Sequence, residues 1–129
     1  MKLYTSSVFV DDQAKGLDFY TKVLGFVPKH DEPVGDDRWI TVVSSEDMGG
    51  TELLLEPSHH PAKKAFKEAL VKDGIPAAMF KVQDLDAEYH RLTDLGVKFS
   101  GKPVDAGKYR VAVFDDTCGN LIQLIQTDL

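Results

Sequence analysis

The sequence predicts an α+β chain built from two βαβββ modules. Three observations carry that expectation: a repeat with a period near 70 residues, one amphipathic helix in each copy, and strand alternation that separates an apolar face from a mixed one. At 129 residues and 14.3 kDa the chain is the size of one compact domain, and such a chain buries roughly two-thirds of the surface its unfolded form exposes. We therefore expect one domain over 1–129, with module one at about 1–57, a connector helix at about 58–74 and module two at about 75–129.

The repeat is read from punctuation. Val10-Asp11-Asp12 opens a stretch running to Leu24-Gly25-Phe26, and Val82-Gln83-Asp84 opens another running to Leu95-Gly96-Val97. Each is a strand end, an aspartate N-cap, a helix, a glycine stop and an apolar residue re-entering a strand. From valine to glycine the two spacings are 15 and 14 residues. Each copy closes with a hairpin around a glycine-containing loop, Glu46-Asp47-Met48-Gly49-Gly50 in the first and Asp115-Asp116-Thr117-Cys118-Gly119-Asn120 in the second. Leu17, Tyr20 and Leu24, and likewise Leu85, Tyr89 and Leu92, fall on one helical face. Between the copies Pro61 starts a connector helix ending at Gly74, with Ala62, Ala65, Phe66, Ala69 and Leu70 on one side, which we read as core packing.

Strand parity divides the rest. Val8 and Val10, Leu53 and Leu55, Phe80 and Val82, and Ile122 and Leu124 form a uniformly apolar face suited to the helices. The opposite parity holds Thr5, Ser7 and Phe9; Glu52, Leu54 and Glu56; Ala77, Met79 and Lys81; and Leu121, Gln123 and Ile125. A dry core would not hold unpaired Glu56 and Gln123, and a solvent face would not need so many apolar residues. Half-apolar lining with a few convergent polar groups suits a small-molecule cavity, although a face covered by a second subunit remains an alternative.

Composition narrows the function. A net charge of −6 with no basic stripe argues against a nucleic-acid partner. No apolar run is long enough for a membrane span, and Met1–Val10 lacks a signal-peptide pattern, so the cytoplasm is the expected compartment. Cys118 is the single cysteine, which excludes an internal disulfide, and nothing adjacent to it would activate a thiol. His59-His60 read as a polar start to the connector helix, His30 and His90 as isolated, and Trp39 as either a core or a ligand-stacking residue.

Phe19-Tyr20-Thr21-Lys22-Val23-Leu24-Gly25-Phe26 after Val10-Asp11-Asp12 resembles the opening of the vicinal oxygen chelate superfamily, which includes glyoxalase I, bleomycin-resistance proteins, extradiol dioxygenases and fosfomycin-resistance enzymes. The stretch from Val82-Gln83-Asp84 through Phe114–Leu124 resembles its second module. The resemblance implies a curled mixed sheet around a cup, the glyoxalase/bleomycin-resistance/dihydroxybiphenyl dioxygenase fold, commonly completed by dimerisation. It also implies four metal-ligand positions, which fall here on Thr5, Glu56 (with Glu52 as the register alternative), Ala77 and Gln123. One carboxylate, one neutral amide, one hydroxyl and an alanine are too few donors for a divalent ion. We therefore expect no metal or other cofactor, and a homodimer binding a small molecule in a cup lined by Thr5, Ser7, Phe9, Trp39, Glu56, Met79 and Gln123. Whether the protein is an enzyme stays open: the alternatives are a lyase, isomerase or dioxygenase using a rearranged metal site or Glu56 as catalytic general base, or a silent partner domain.

Overall fold

The computed structural model describes residues 1–129 as two compact units, Met1–Phe66 and Lys67–Leu129. The first contains strand β1 (Thr5–Val10), helix α1 (Gln13–Asp18) running into a π-helical turn (Phe19–Val23), and strands β2 (Val27–Val34), β3 (Asp37–Val43) and β4 (Glu52–Pro57). Helix α2 (Pro61–Lys72) begins in the first unit and ends in the second. The second unit then has β5 (Ala78–Lys81), α3 (Leu85–Asp94), β6 (Val104–Asp105), β7 (Tyr109–Asp115) and β8 (Leu121–Thr127). Each unit holds a four-stranded sheet of the same topology, β1-β4-β3-β2 and β5-β8-β7-β6, with the first pair parallel and the remainder antiparallel. No helix is long and apolar enough to cross a membrane.

The punctuation marks take the same roles in both copies. Asp12 and Asp84 cap their helices by accepting the backbone N–H of Lys15 and Ala87, each at 3.0 Å. Gly25 and Gly96 follow the helices at φ of 92° and 89°, a conformation open to glycine without steric cost. The helices themselves differ from the uniform pair expected. After α1 the chain widens into the π turn, where the Leu24 N–H reaches back five residues to the Phe19 carbonyl. The copy with the longer valine-to-glycine spacing is thus the one that places its extra residue in a π bulge, which keeps the cap and the glycine stop in equivalent places.

Register pairs Val8 with Leu55 and Phe80 with Leu124, so the apolar parity of each sheet is a continuous face. Val8, Val10, Ile40, Val42 and Leu55 are buried in the first unit with Tyr20, and Ala112, Phe114, Ile122 and Leu124 in the second with Leu85 and Leu92. In the second unit Tyr89, Phe99 and Phe114 stack edge to face at centroid distances of 4.7 and 5.6 Å.

The ladder between β3 and β4 is short, pairing only Thr41 with Leu54 and Val42 with Leu53. Continued three residues, it would set Arg38 against Pro57, which has no N–H to give. The Gln13 carboxamide occupies that place. Its Nε2 donates to the carbonyls of Arg38 (2.6 Å) and Leu55 (2.9 Å), and its Oε1 accepts the Arg38 N–H (3.0 Å). One side chain from α1 therefore stands where a strand neighbour would, and β3 and β4 lie one amide apart beyond their last pair.

Helix α2 departs from the core-packing expectation. Ala62, Ala65 and Ala69 are exposed, and Phe66 is 53% exposed, touching the Phe9 ring edge-on at 6.2 Å. The buried residue is Lys67, whose Nζ donates to the Cys118 carbonyl at 2.7 Å. A carbonyl shut away from water needs a donor, and that demand outweighs the apolar stripe in deciding which side of the helix turns inward.

Candidate functional site

On the mixed face of the first sheet, register sets Thr5 beside Glu52, Ser7 beside Leu54 and Phe9 beside Glu56. Thr41 lies opposite Leu54 on the other side, which brings Trp39, two residues along β3, onto the same face. His30 and Glu32 of β2 join it as partners of Thr41 and Trp39. Thr5, Ser7, Phe9, Trp39 and Glu56 therefore share one sheet face. Met79 and Gln123 are register partners on the mixed face of the second sheet, with Val113 on the far side of Gln123.

The two glutamates of β4 have different fates. Glu52 is only 4% exposed. Its Oε1 accepts the Thr41 hydroxyl at 2.8 Å, the Lys29 ammonium stands 3.4 Å from Oε2, and His30 Nε2 lies 3.6 Å from Oε1. Burial pushes the Glu52 carboxyl up, but the Thr41 and Lys29 hydrogen bonds, with the charges of Lys29 and His30, outweigh it and hold the group below the usual carboxylate range. A bulge in β2 between Pro28 and His30 sits where Lys29 and His30 are presented. In the sequence Glu52 stands only as a register alternative to Glu56 and His30 is isolated; the bulge that unites them leaves no mark in a period-two pattern.

Glu56 is half-buried, and its carboxylate has no hydrogen-bond or ion-pair partner in the protein. Lys81 Nζ donates to the Leu129 carbonyl at 3.0 Å. The Trp39 indole N–H and the Gln123 carboxamide are likewise half-buried and unpartnered. Other polar groups nearby are spoken for. Lys63 Nζ stands 5.0 Å from the centroid of the Phe9 ring, and His59 Nε2 meets both Asp37 carboxylate oxygens at 3.1 and 3.0 Å. His60 Nδ1 accepts the Ala62 N–H at 3.0 Å, so it serves as the cap of α2. Around Gln123 the second face is apolar: Val111, Val113, Leu121 and Ile125 are half-buried, while Met79 and Tyr109 are 56% and 41% exposed.

As donors for a divalent ion these residues are a poor set. Glu56 offers one carboxylate, its register alternative Glu52 already carries an ammonium that a metal would have to displace, Thr5 offers a hydroxyl, Ala77 nothing and Gln123 a neutral oxygen. As a surface for an organic molecule they are better suited, because each mixed face couples apolar area to polar groups that lack partners.

Residues 3–124 match the glyoxalase/bleomycin resistance protein/dioxygenase superfamily. The chain belongs to that superfamily. It is 52% identical over 126 residues to the uncharacterized protein YurT of Bacillus subtilis (strain 168), covering 98% of this chain and 99% of that protein. Among solved structures it resembles UcmS2 at 30% identity and a TM-score of 0.84, covering 98% of each chain. It also resembles TnmS3, an antibiotic binding protein from Streptomyces sp. CB03234, at 30% identity and a TM-score of 0.78, over 99% of this chain and 97% of that one. The glyoxalase/bleomycin-resistance architecture is therefore established, and it leaves the reaction or ligand to be argued from the side chains.

Proposed function

We propose that this superfamily member is a small-molecule-binding protein that sequesters an aromatic, antibiotic-like compound, neutral or cationic, without transforming it and without a bound metal. The observation that carries the reading is the Glu56 carboxylate, half-buried on the mixed face beside Phe9 with no partner in the protein. The carboxylate oxygens keep their access to solvent and take no partner from the protein, so a ligand bearing an N–H or O–H group, or a positive charge, can make a charge-assisted hydrogen bond there. The net charge of −6 disfavours anionic compounds in the same direction, and the likeness to TnmS3 supports the compound class. The protein is further proposed to act as a homodimer in the cytoplasm.

Trp39 is the only tryptophan, so its emission reports on the first face directly. Titration with bleomycin and with planar aromatic antibiotics, followed by calorimetry and Trp39 fluorescence, should find a binder. Glu56→Gln or Gln123→Ala should weaken it about tenfold, as expected for the loss of one hydrogen bond to the ligand. The compound should be recovered with unchanged mass, elemental analysis of protein purified without chelator should find no stoichiometric metal, and sedimentation should report a dimer. A panel with no binder, or a binder indifferent to both substitutions, defeats the reading.

A further inference from the structure

The Gln13 carboxamide lies outside the mixed face, yet it touches both strands that carry the unpartnered groups. It holds the Arg38 backbone, next to Trp39, through donor and acceptor together, and it holds the Leu55 carbonyl, next to Glu56. Trp39 and Glu56 would be direct cross-strand partners if the β3–β4 ladder continued two residues beyond Thr41 and Leu54. With the amide inserted they are not a closed pair. An indole N–H and a carboxylate that could have approached each other across adjacent strands are both left without a partner.

We propose that Gln13 is a positioning residue: by keeping β3 and β4 one amide apart, it prevents Trp39 from closing on Glu56 and holds the two as a receptor for one planar ligand. The ligand class that suits this pair is a flat aromatic cation, its ring against the indole and its N–H donors on the carboxylate. The assignment rests on the preceding reading that this face binds a small molecule. Pro57, which has no N–H, stands where the ladder would otherwise answer the Arg38 carbonyl, and so leaves that carbonyl open to the Gln13 amide.

The test compares the wild-type protein with Gln13→Ala and Gln13→Glu, the latter keeping the acceptor for the Arg38 N–H while removing both donors. In ligand-free protein, Gln13→Ala should shift Trp39 emission and change hydrogen exchange at the Arg38 amide, and Gln13→Glu, whose second carboxylate oxygen would face the Arg38 and Leu55 carbonyls without a proton to give, should shift Trp39 emission at least as far. Calorimetry with proflavine, a planar cation, and anthraquinone sulfonate, a planar anion, then reads the receptor. Wild type should favour proflavine by about tenfold or more, the scale of one charge-assisted hydrogen bond. Gln13→Ala should bring that ratio close to one while thermal unfolding stays cooperative. Unchanged Trp39 emission and Arg38 exchange in Gln13→Ala would overturn the proposal. So would an equal loss of affinity for both dyes, which marks plain destabilisation, or a wild type that binds the dyes without preference. Wild-type protein that binds neither dye nor bleomycin defeats the preceding reading itself, a result read on the unaltered chain and therefore distinct from the others.

Discussion

Glu52 and Glu56 occupy the same face of one strand and differ in burial and in whether the protein supplies their hydrogen bonds. Thr41 and Lys29 do so for Glu52, and the consequence is a pH dependence of known sign. A carboxyl held below its usual range when folded contributes stability above the unfolded-state pKa, and that contribution is lost as pH falls through the folded-state value. Thr41→Val removes one of the groups that lowers it. The folded-state pKa should rise, acid unfolding followed by circular dichroism should begin at higher pH than in the wild type, and stability at neutral pH should drop by about 1–3 kcal/mol, the cost of an unsatisfied buried acceptor.

At the level of elements, α1 with its π turn and α3 solve one problem twice. Both end on a left-handed glycine with open space where a side chain would project, so Gly25→Ala and Gly96→Ala should each cost about 1–2 kcal/mol through the backbone alone. Denaturant unfolding of the single variants checks this; a near-neutral Gly25→Ala would mean that the wider turn relaxes the strain. Helix α2 makes the opposite point. Lys67→Ala should destabilise by about 1–3 kcal/mol by orphaning the Cys118 carbonyl, whereas Ala65→Ser on the exposed stripe should stay within about 0.5 kcal/mol. The caps, glycine stops and strand parity were legible in the sequence because each is set by residues close along the chain. The burial of Lys67, the gathering of Lys29 and His30 on Glu52, and the Gln13 insertion were not. Each joins residues from different elements, Gln13 reaching Leu55 across 42 positions, and no local period encodes such a meeting.

For the whole molecule, the repeat predicted from four recurring marks is realised as two sheets with the same strand order, and the border between the compact units falls inside α2. The parts of the site visible beforehand were those that parity alone decides: which residues share a face. Which of them the protein leaves unpartnered was not visible, since that depends on where every neighbouring cation and hydroxyl goes. Because the two glycine stops act locally in separate units, the Gly25→Ala/Gly96→Ala double variant should show a summed loss within about 0.5 kcal/mol of additivity. A clear excess over that sum would mean that the units share stability.

Cys118, the one thiol in the chain, is sealed in the turn between β7 and β8, under the bond from Lys67. Its sulfur is consequently a built-in clock. An alkylating dye added to the native protein can react only as fast as that turn breathes, so labelling rate measures local opening of the second hairpin without any engineered reporter. A cysteine introduced on a solvent-facing position such as Ser7 would label at once, against a silent background.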